Sequence, residues 1–188
     1  MKNLKNIALA LFVSAATAVS AQTKKISADK STISWVGKKV TGSHSGTINI
    51  KSGDLVFQGT KLTGGSFAVD VTSLTVTDLK TGQGKENLEG HLKADDFFGA
   101  EKYPTANLVF TSVSSRGNGI YAVKANLTIK DKTNPVSFDL ATTAKTANTS
   151  FKVDRTKYGI EYNSGNFFQN LGDKAIYDDF ELTVSLQY

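Results

Sequence analysis

The chain of 188 residues carries 22 Lys and Arg against 17 Asp and Glu, a formal charge of +5, and no cysteine. A length of this order suits a single domain. Lack of cysteine excludes a disulfide frame, a thiol nucleophile and a lipid-modified cysteine, so an apolar core must hold the fold unaided. The lysines alternate with acids rather than gathering into a stripe, which argues against nucleic acid as a partner.

Taken in order, Lys2 and Lys5 precede an unbroken apolar run from Ile7 to Val13, and small residues lead to Ala21. This pattern predicts a secretory signal peptide over 1–21, cut near Ala21, and a periplasmic or secreted domain over 22–188. The cut removes two lysines and lowers the formal charge from +5 to +3. No later segment approaches the ~20 apolar residues that cross a bilayer as a helix, so stable membrane insertion is not expected.

Two-residue alternation, the mark of half-buried antiparallel strands, then dominates. A first strand is predicted near Thr32 to Lys39, with Ile33 and Trp35 on one face. A glycine-loosened stretch around His44 leads to Ile48 and Ile50. Ser52-Gly53-Asp54 reads as a turn, and Leu55 to Phe57 as a short strand. After Gly64-Gly65, Phe67, Val69 and Val71 share a face. Alternation stops at Asp78; Lys85 to Leu92 has the composition for one or two helical turns, and the stretch from Gly90 to Pro104 contains His91, Phe97-Phe98 and Tyr103-Pro104. Beyond it come Leu108 and Phe110, then a hairpin signal at Arg116-Gly117-Asn118-Gly119.

The clearest strand follows, with Tyr121, Val123, Ala125, Leu127 and Ile129 on one face. Asp131 to Pro135 reads as a turn, Val136, Phe138 and Leu140 as a strand, and Phe151 with Val153 as another. Residues 156–174 read as a long loop before a last strand from Phe180 to Tyr188. Eight or nine one-sided strands must hide their apolar faces by packing two sheets or by closing into a barrel. At about eight strands a barrel is either filled by side chains or holds one small ligand, and composition does not choose between the two.

Signals for catalysis are weak. Gly42-Ser43-His44-Ser45-Gly46 centres on His rather than Ser, so it is not a nucleophile elbow. The two histidines have no metal-ligand spacing around them. Asp95-Asp96 and Asp178-Asp179 are adjacent pairs, which on a strand point to opposite faces. No glycine-rich loop precedes a helix, so nucleotide binding has no support. His91 is either a structural hydrogen-bonding residue or a ligand contact. Phe97-Phe98 is either a core plug or a cavity wall. Arg155 needs an anion or a carboxylate if it points inward and is an ordinary surface charge if it points outward.

In sequence the chain resembles the YceI-like proteins. His91-Leu92, Asp96-Phe97-Phe98 and Tyr103-Pro104 match the family's order and spacing. Ser34-Trp35 with the His44 segment, Ser73-Leu74, the strand from Val123 to Ile129 with Asp131-Lys132-Thr133, and Arg155 to Ile160 support the match. Leu88-Glu89 departs from the Arg-Asp common before the His-Leu pair, and Gly99 departs from the usual Asp or Asn. The resemblance implies an all-β, antiparallel eight-stranded barrel of the extended lipocalin type, with a short helical connection around residues 85–98. It also implies an apolar cavity for an isoprenoid quinone, a polyprenyl compound or another amphiphilic lipid, bound as ligand, with no catalytic residue, metal or other cofactor. Trp35, Phe67, Val69, Phe110, Tyr121, Val123, Leu127 and Phe138 are the expected interior wall. His44, Phe97 and Phe98 join them as ligand-binding candidates, with His91, Arg155 and Tyr158 at the polar end. An enzyme acting on a lipid in the same barrel, and an interaction module with a filled core, are the alternatives; a homodimer is an open expectation.

Overall fold

The computed structural model describes residues 20–188; the expected signal peptide falls almost wholly outside this range. Nine strands occur among the described residues: β1 (Ala21–Lys25), β2 (Thr32–Lys39), β3 (Gly42–Gln58), β4 (Lys61–Val76), β5 (Thr105–Gly117), β6 (Ile120–Ile129), β7 (Lys132–Thr142), β8 (Thr146–Asp154) and β9 (Ile176–Gln187). A single α-helix, α1 (Lys85–Lys93), interrupts the meander between β4 and β5. The strands run in the order β1-β3-β2-β9-β8-β7-β6-β5-β4, and β3 pairs with β4. That last ladder closes β2 to β9 into an eight-stranded antiparallel barrel, and β1 lies beside the far half of β3.

β3 is one strand of 17 residues, not a strand, a turn and a second strand. The Ser52-Gly53-Asp54 reading is therefore corrected. Register shifts against β4 near Ile50 and Ser52 let inward parity change from Ile48 and Ile50 to Gly53, Leu55 and Phe57. Gly53 serves close packing: a Cβ there would lie 2.5 Å from Phe67 Cδ1. A second irregularity in β4 brings both Val71 and Leu74 inward, three residues apart. Asp70 holds it by accepting from Thr72 N (3.0 Å) and Thr72 Oγ1 (2.6 Å), while Ser73 Oγ accepts from Asn49 N (2.8 Å).

The Asp131–Pro135 turn is also corrected. The reversal is confined to Lys130 and Asp131, at φ 50° and 59°, the left-handed pair of a tight hairpin. Lys132 to Pro135 already belong to β7. Proline is tolerated there because β7 and β8 register only at Ala141↔Asn148 and Thr142↔Ala147, then diverge. Side chains close the gap: Phe138 stacks on Phe151 at 4.6 Å, Thr149 Oγ1 donates to the Asp139 carbonyl (2.7 Å), and Asn134 Nδ2 donates to that of Lys157 (3.0 Å).

One end of the barrel is solid. Leu55, Phe57, Leu62, Tyr121, Val123 and Leu140 pack there in a buried cluster. Tyr121 is the tie, its hydroxyl accepting from Leu62 N (3.3 Å) and donating to the Thr60 carbonyl (3.4 Å). Ile26, just past β1, joins the same cluster, held where Ile26 N meets the Gly53 carbonyl at 2.8 Å.

Trp35 of β2 packs over Gly46, its register partner on the neighbouring β3, where a Cβ would fall 2.5 Å from Trp35 Cζ2 and 1.8 Å from the Thr75 carbonyl oxygen. Gly46→Ala must therefore move backbone, and overpacking of this kind costs about 1–3 kcal/mol. The expected result is a melting temperature lower by several degrees in calorimetry, at roughly 2–4 °C per kcal/mol for a domain of this size. An unchanged melting temperature contradicts this packing.

Candidate functional site: an apolar cavity with a polar mouth

Above the solid end the barrel is hollow. A cavity of about 200 Å³ opens at the end where the β2–β3 hairpin, α1 and the loop before β9 meet. A second chamber of about 90 Å³ lies beneath it. Ile33, Val69, Ala106, Leu127 and Leu182 belong to both walls, so the two chambers adjoin.

The expected residues separate into three groups. Trp35, Val69, Phe97, Phe98 and Leu127 stand on the wall of the outer chamber. Phe67, Phe110 and Phe138 stand on that of the inner one. Tyr121 and Val123 face inward, as their parity predicts, but lie in the packed cluster at the solid end and line neither chamber. Wall residues that the sequence reading did not single out include Ile33, Ile48, Leu74, Ala106, Phe151 and Leu182. The parity of Trp35 carries Ile33 with it, and the alternation of the last strand contains Leu182. Ala106 has no such signal, because a small side chain looks the same on either face.

The helical connection caps the outer chamber. Leu88, Leu92, Phe97 and Phe98 turn onto it, and Phe98 meets Phe180 of β9 edge to face at 6.1 Å. Glu89 fastens α1 to β4, accepting from Thr75 Oγ1 (2.5 Å) and Val76 N (2.8 Å). The Thr75 and Val76 hydrogen bonds hold the Glu89 carboxyl below the ordinary glutamate range. His91 lies on the outside of this cap. Its Nε2 is 2.7 Å from Asp96 Oδ2, and its ring packs edge to face on Phe97 (4.8 Å) and Tyr162 (4.7 Å). It lines neither chamber.

Arg155 points inward and is 4% exposed. Its guanidinium donates to the carbonyls of Ile160 (2.8 Å), Ile176 (3.0 Å) and Tyr177 (3.2 Å), and lies 3.4 Å from Asp178 Oδ1. Burial lowers its pKa, against the opposing pull of Asp178 and Asp154. These donors are spent on pinning the 159–176 loop to the start of β9, although part of the side chain borders the outer chamber. Tyr158 is buried beside it within a cluster of Phe97, Leu127, Val153 and Ile160, off both walls. Burial, with a smaller contribution from Asp154, pushes its phenol up to about 12.

The mouth therefore takes its polar chemistry from elsewhere. His44, Lys38, Lys39 and Asp179 border the outer chamber. His44 Nδ1 is 2.9 Å from Asp78 Oδ2, whose other oxygen accepts from Ser45 N (2.9 Å), an arrangement that orients the imidazole at the rim. Lys38 is paired with Glu181 at 2.8 Å. Among the described residues no three His, Cys, Asp or Glu side chains gather as a metal site, and no helix is long and apolar enough to cross a membrane.

The YceI-like domain family matches residues 25–188. The chain belongs to the YceI-like family. A UPF0312 protein of Shewanella denitrificans is 30% identical over 92 residues, 49% of this chain and 46% of that protein, so the chain matches less than half of that relative's length. Among solved structures, BcnA of Burkholderia cenocepacia superposes with a TM-score of 0.68 at 20% identity, over 87% of this chain and 99% of that one. A polyisoprenoid binding domain from Saccharophagus degradans gives 0.62 at 14% identity, over 87% and 96%. At such identities these two share the fold. The YceI-like barrel accounts for the eight-stranded meander and its single helix.

Two outcomes follow from the cap and the loop. The Glu89 carboxyl is lower in the folded state than in the unfolded chain, so its contribution is fully present above pH ~4.3 and fades as pH falls through the lower folded value. Protection of the α1 amides, taken relative to their intrinsic exchange rate at each pH, is expected to fall on acidification, and Glu89→Gln is expected to flatten that dependence. Arg155→Met leaves three carbonyls and Asp178 without their donor and costs about 3 kcal/mol, by analogy with broken buried ion pairs. Denaturant unfolding should report that loss; a variant as stable as the parent contradicts the role of Arg155 as a pin.

Proposed function

We propose that this YceI-like protein carries or sequesters an amphiphilic lipid, an isoprenoid quinone, a polyprenyl compound or a chemically similar molecule, with its tail inside the barrel. The observation that carries the reading is the pair of adjoining apolar chambers, walled by Trp35, Phe67, Val69, Phe110, Leu127 and Phe138. The charged and imidazole side chains on the outer wall are Lys38, Lys39, His44, Asp179 and the buried Arg155, whose donors are taken by backbone carbonyls. The inner wall adds only Asn107 and Thr149 as polar side chains. The likeness of fold to a polyisoprenoid binding domain supports it. Burial returns ~0.8 kcal/mol per CH2, while association costs roughly 4–15 kcal/mol. A tail of only a few carbons does not offset that cost; one of about 20 carbons does.

Binding of this kind requires no reacting group, so the protein acts as a binding protein and not as an enzyme, with bound lipid in place of a cofactor. Phe97 and Phe98 cover the tail from the cap. The head group remains near His44 and Lys39, which border the outer chamber, because Arg155 is committed to backbone carbonyls and His91 lines neither chamber. The N-terminal pattern of Lys2, Lys5 and the run from Ile7 to Val13 supports export, with cutting near Ala21.

Protein purified without detergent is expected to release one amphiphile per barrel on solvent extraction, identified by mass spectrometry. Ala106→Phe places a ring where the chambers adjoin; it is expected to reduce lipid occupancy at least tenfold with little loss of melting temperature, since a ring that fills a void adds contacts. Equal occupancy in the variant, or a parent protein that takes up no lipid, contradicts the reading.

A further inference from the structure

Seven large hydrophobic side chains are exposed among the described residues. Five of them, Val40, Tyr162, Phe167, Phe168 and Tyr177, belong to the end of the barrel where the cavity opens. Tyr177 is 55% exposed and also borders the outer chamber. Val40 is tied to the loop through its amide, which donates to the Ala175 carbonyl at 3.1 Å. Tyr162 leans on His91 and Phe97 of the cap. Phe167 and Phe168 are 52% and 49% exposed at the turn of the same loop.

Those two rings are displayed by an ordered backbone. Ser164 is fully buried, bridges to Ile176, and accepts from the amides of Phe167 (3.1 Å) and Phe168 (2.9 Å) through its carbonyl. Asn163, Asn170 and Gly172 take left-handed φ values of 50°, 60° and 51°, reversing the chain on either side. The loop thus holds two phenylalanines in water at the rim of an apolar cavity, where an ordinary fold would tuck them inward. Exposed apolar patches of this kind mark an interaction surface.

We propose that this rim is a membrane-docking face, through which the barrel sits mouth-down on a bilayer surface. Three observations select a bilayer as the partner. The stretch from Tyr162 to Gly172 contains no charged residue, as suits a segment that enters the head-group boundary. Aromatic side chains are the ones that settle at that boundary. Lys39 directly precedes Val40 on the neighbouring hairpin, where it complements anionic head groups, while Lys38 beside it is paired with Glu181. Tyr177 belongs both to the exposed rim and to the wall of the outer chamber, so the docking face and the cavity share a side chain. This rests on the lipid-binding reading for its purpose, but the surface itself is tested separately.

Flotation with vesicles of phosphatidylethanolamine and phosphatidylglycerol provides the test, comparing the parent, the double variant Phe167→Ser/Phe168→Ser and a control, Val109→Ser, on the barrel flank. The parent is expected to float with the vesicles and the control to match it. The double variant is expected to partition about a hundredfold less, roughly tenfold per half-exposed ring, with an unchanged melting temperature. Uptake of geranylgeraniol from cyclodextrin, with no membrane present, should be the same for all three, while uptake from vesicles slows in the double variant. A parent that stays in the aqueous fraction overturns the proposal. So does a double variant that floats normally, or a rim that instead mediates a concentration-dependent dimer in ultracentrifugation without vesicle binding. A parent that floats but takes no geranylgeraniol from cyclodextrin upholds the docking face and overturns the lipid-binding reading.

Discussion

The ladder between β3 and β4 is the constraint on which the rest of the barrel depends. It is the seam that turns a meander into a closed surface, and closure places every inward apolar side chain in one shared interior. Two long strands cannot follow that curvature with uninterrupted alternation, and their ladder shifts register three times, with an extra residue in β3 between Ile50 and Ser52 and extra residues in β4 opposite Thr47/Asn49 and Val56/Phe57. The irregularity in β3 changes inward parity between Ile50 and Gly53. The one in β4 opposite Thr47/Asn49, held by Asp70, Thr72 and Ser73, turns both Val71 and Leu74 toward the cavity. A strict two-residue period would have placed Leu74 in solvent.

The interior that results is divided unequally. Tyr121, Val123, Leu62 and Phe57 fill one end, and the helical cap with Phe97 and Phe98 partly covers the other. Between them the wall consists of side chains too short or too far apart to meet. The gap between β7 and β8 is closed by stacked Phe138 and Phe151 rather than by backbone pairing, so one flank of the inner chamber is only as stiff as a side-chain contact. Polar groups are handled by use. Arg155 is consumed by three carbonyls of the loop it anchors, and that anchoring presents Phe167, Phe168 and Tyr177 at the mouth. The buried charge is thus linked to the exposed aromatics through one segment of backbone.

Legibility from sequence followed the range of the interactions. Strands with simple alternation, β6 and the main part of β9, were read with their faces correct, and the hairpin at Asn118-Gly119 follows from local turn chemistry. Ser52-Gly53-Asp54 misled because glycine supplies either a turn or a place for a neighbouring ring, and only Phe67 of the adjacent strand shows which. β1 carries no alternation to read; its place comes from pairing with the far half of β3. Among the polar candidates, sequence could single out Arg155 as needing a partner if buried, yet the partners are carbonyls more than 20 residues ahead in Ile176 and Tyr177 as well as the nearby Ile160. His91 belongs to the most recognisable motif of the chain and still faces away from the cavity, since its role is to brace the cap through Asp96 and Phe97.

By itself the sequence determined that this is an all-β chain with one helical interruption, that its strands each have one apolar face, and that its central motif is that of the YceI-like family. Those features depend on neighbours within a few residues, where periodicity and turn chemistry act. Only the tertiary structure decided that the barrel is filled at one end and hollow at the other, that Arg155 spends its donors on backbone carbonyls while Tyr158 lies off both chamber walls, and that five exposed apolar side chains share the end where the cavity opens. Whether two inward side chains touch or leave a void depends on strand curvature, register shifts and the distance across the barrel, and none of these is a property of any single segment.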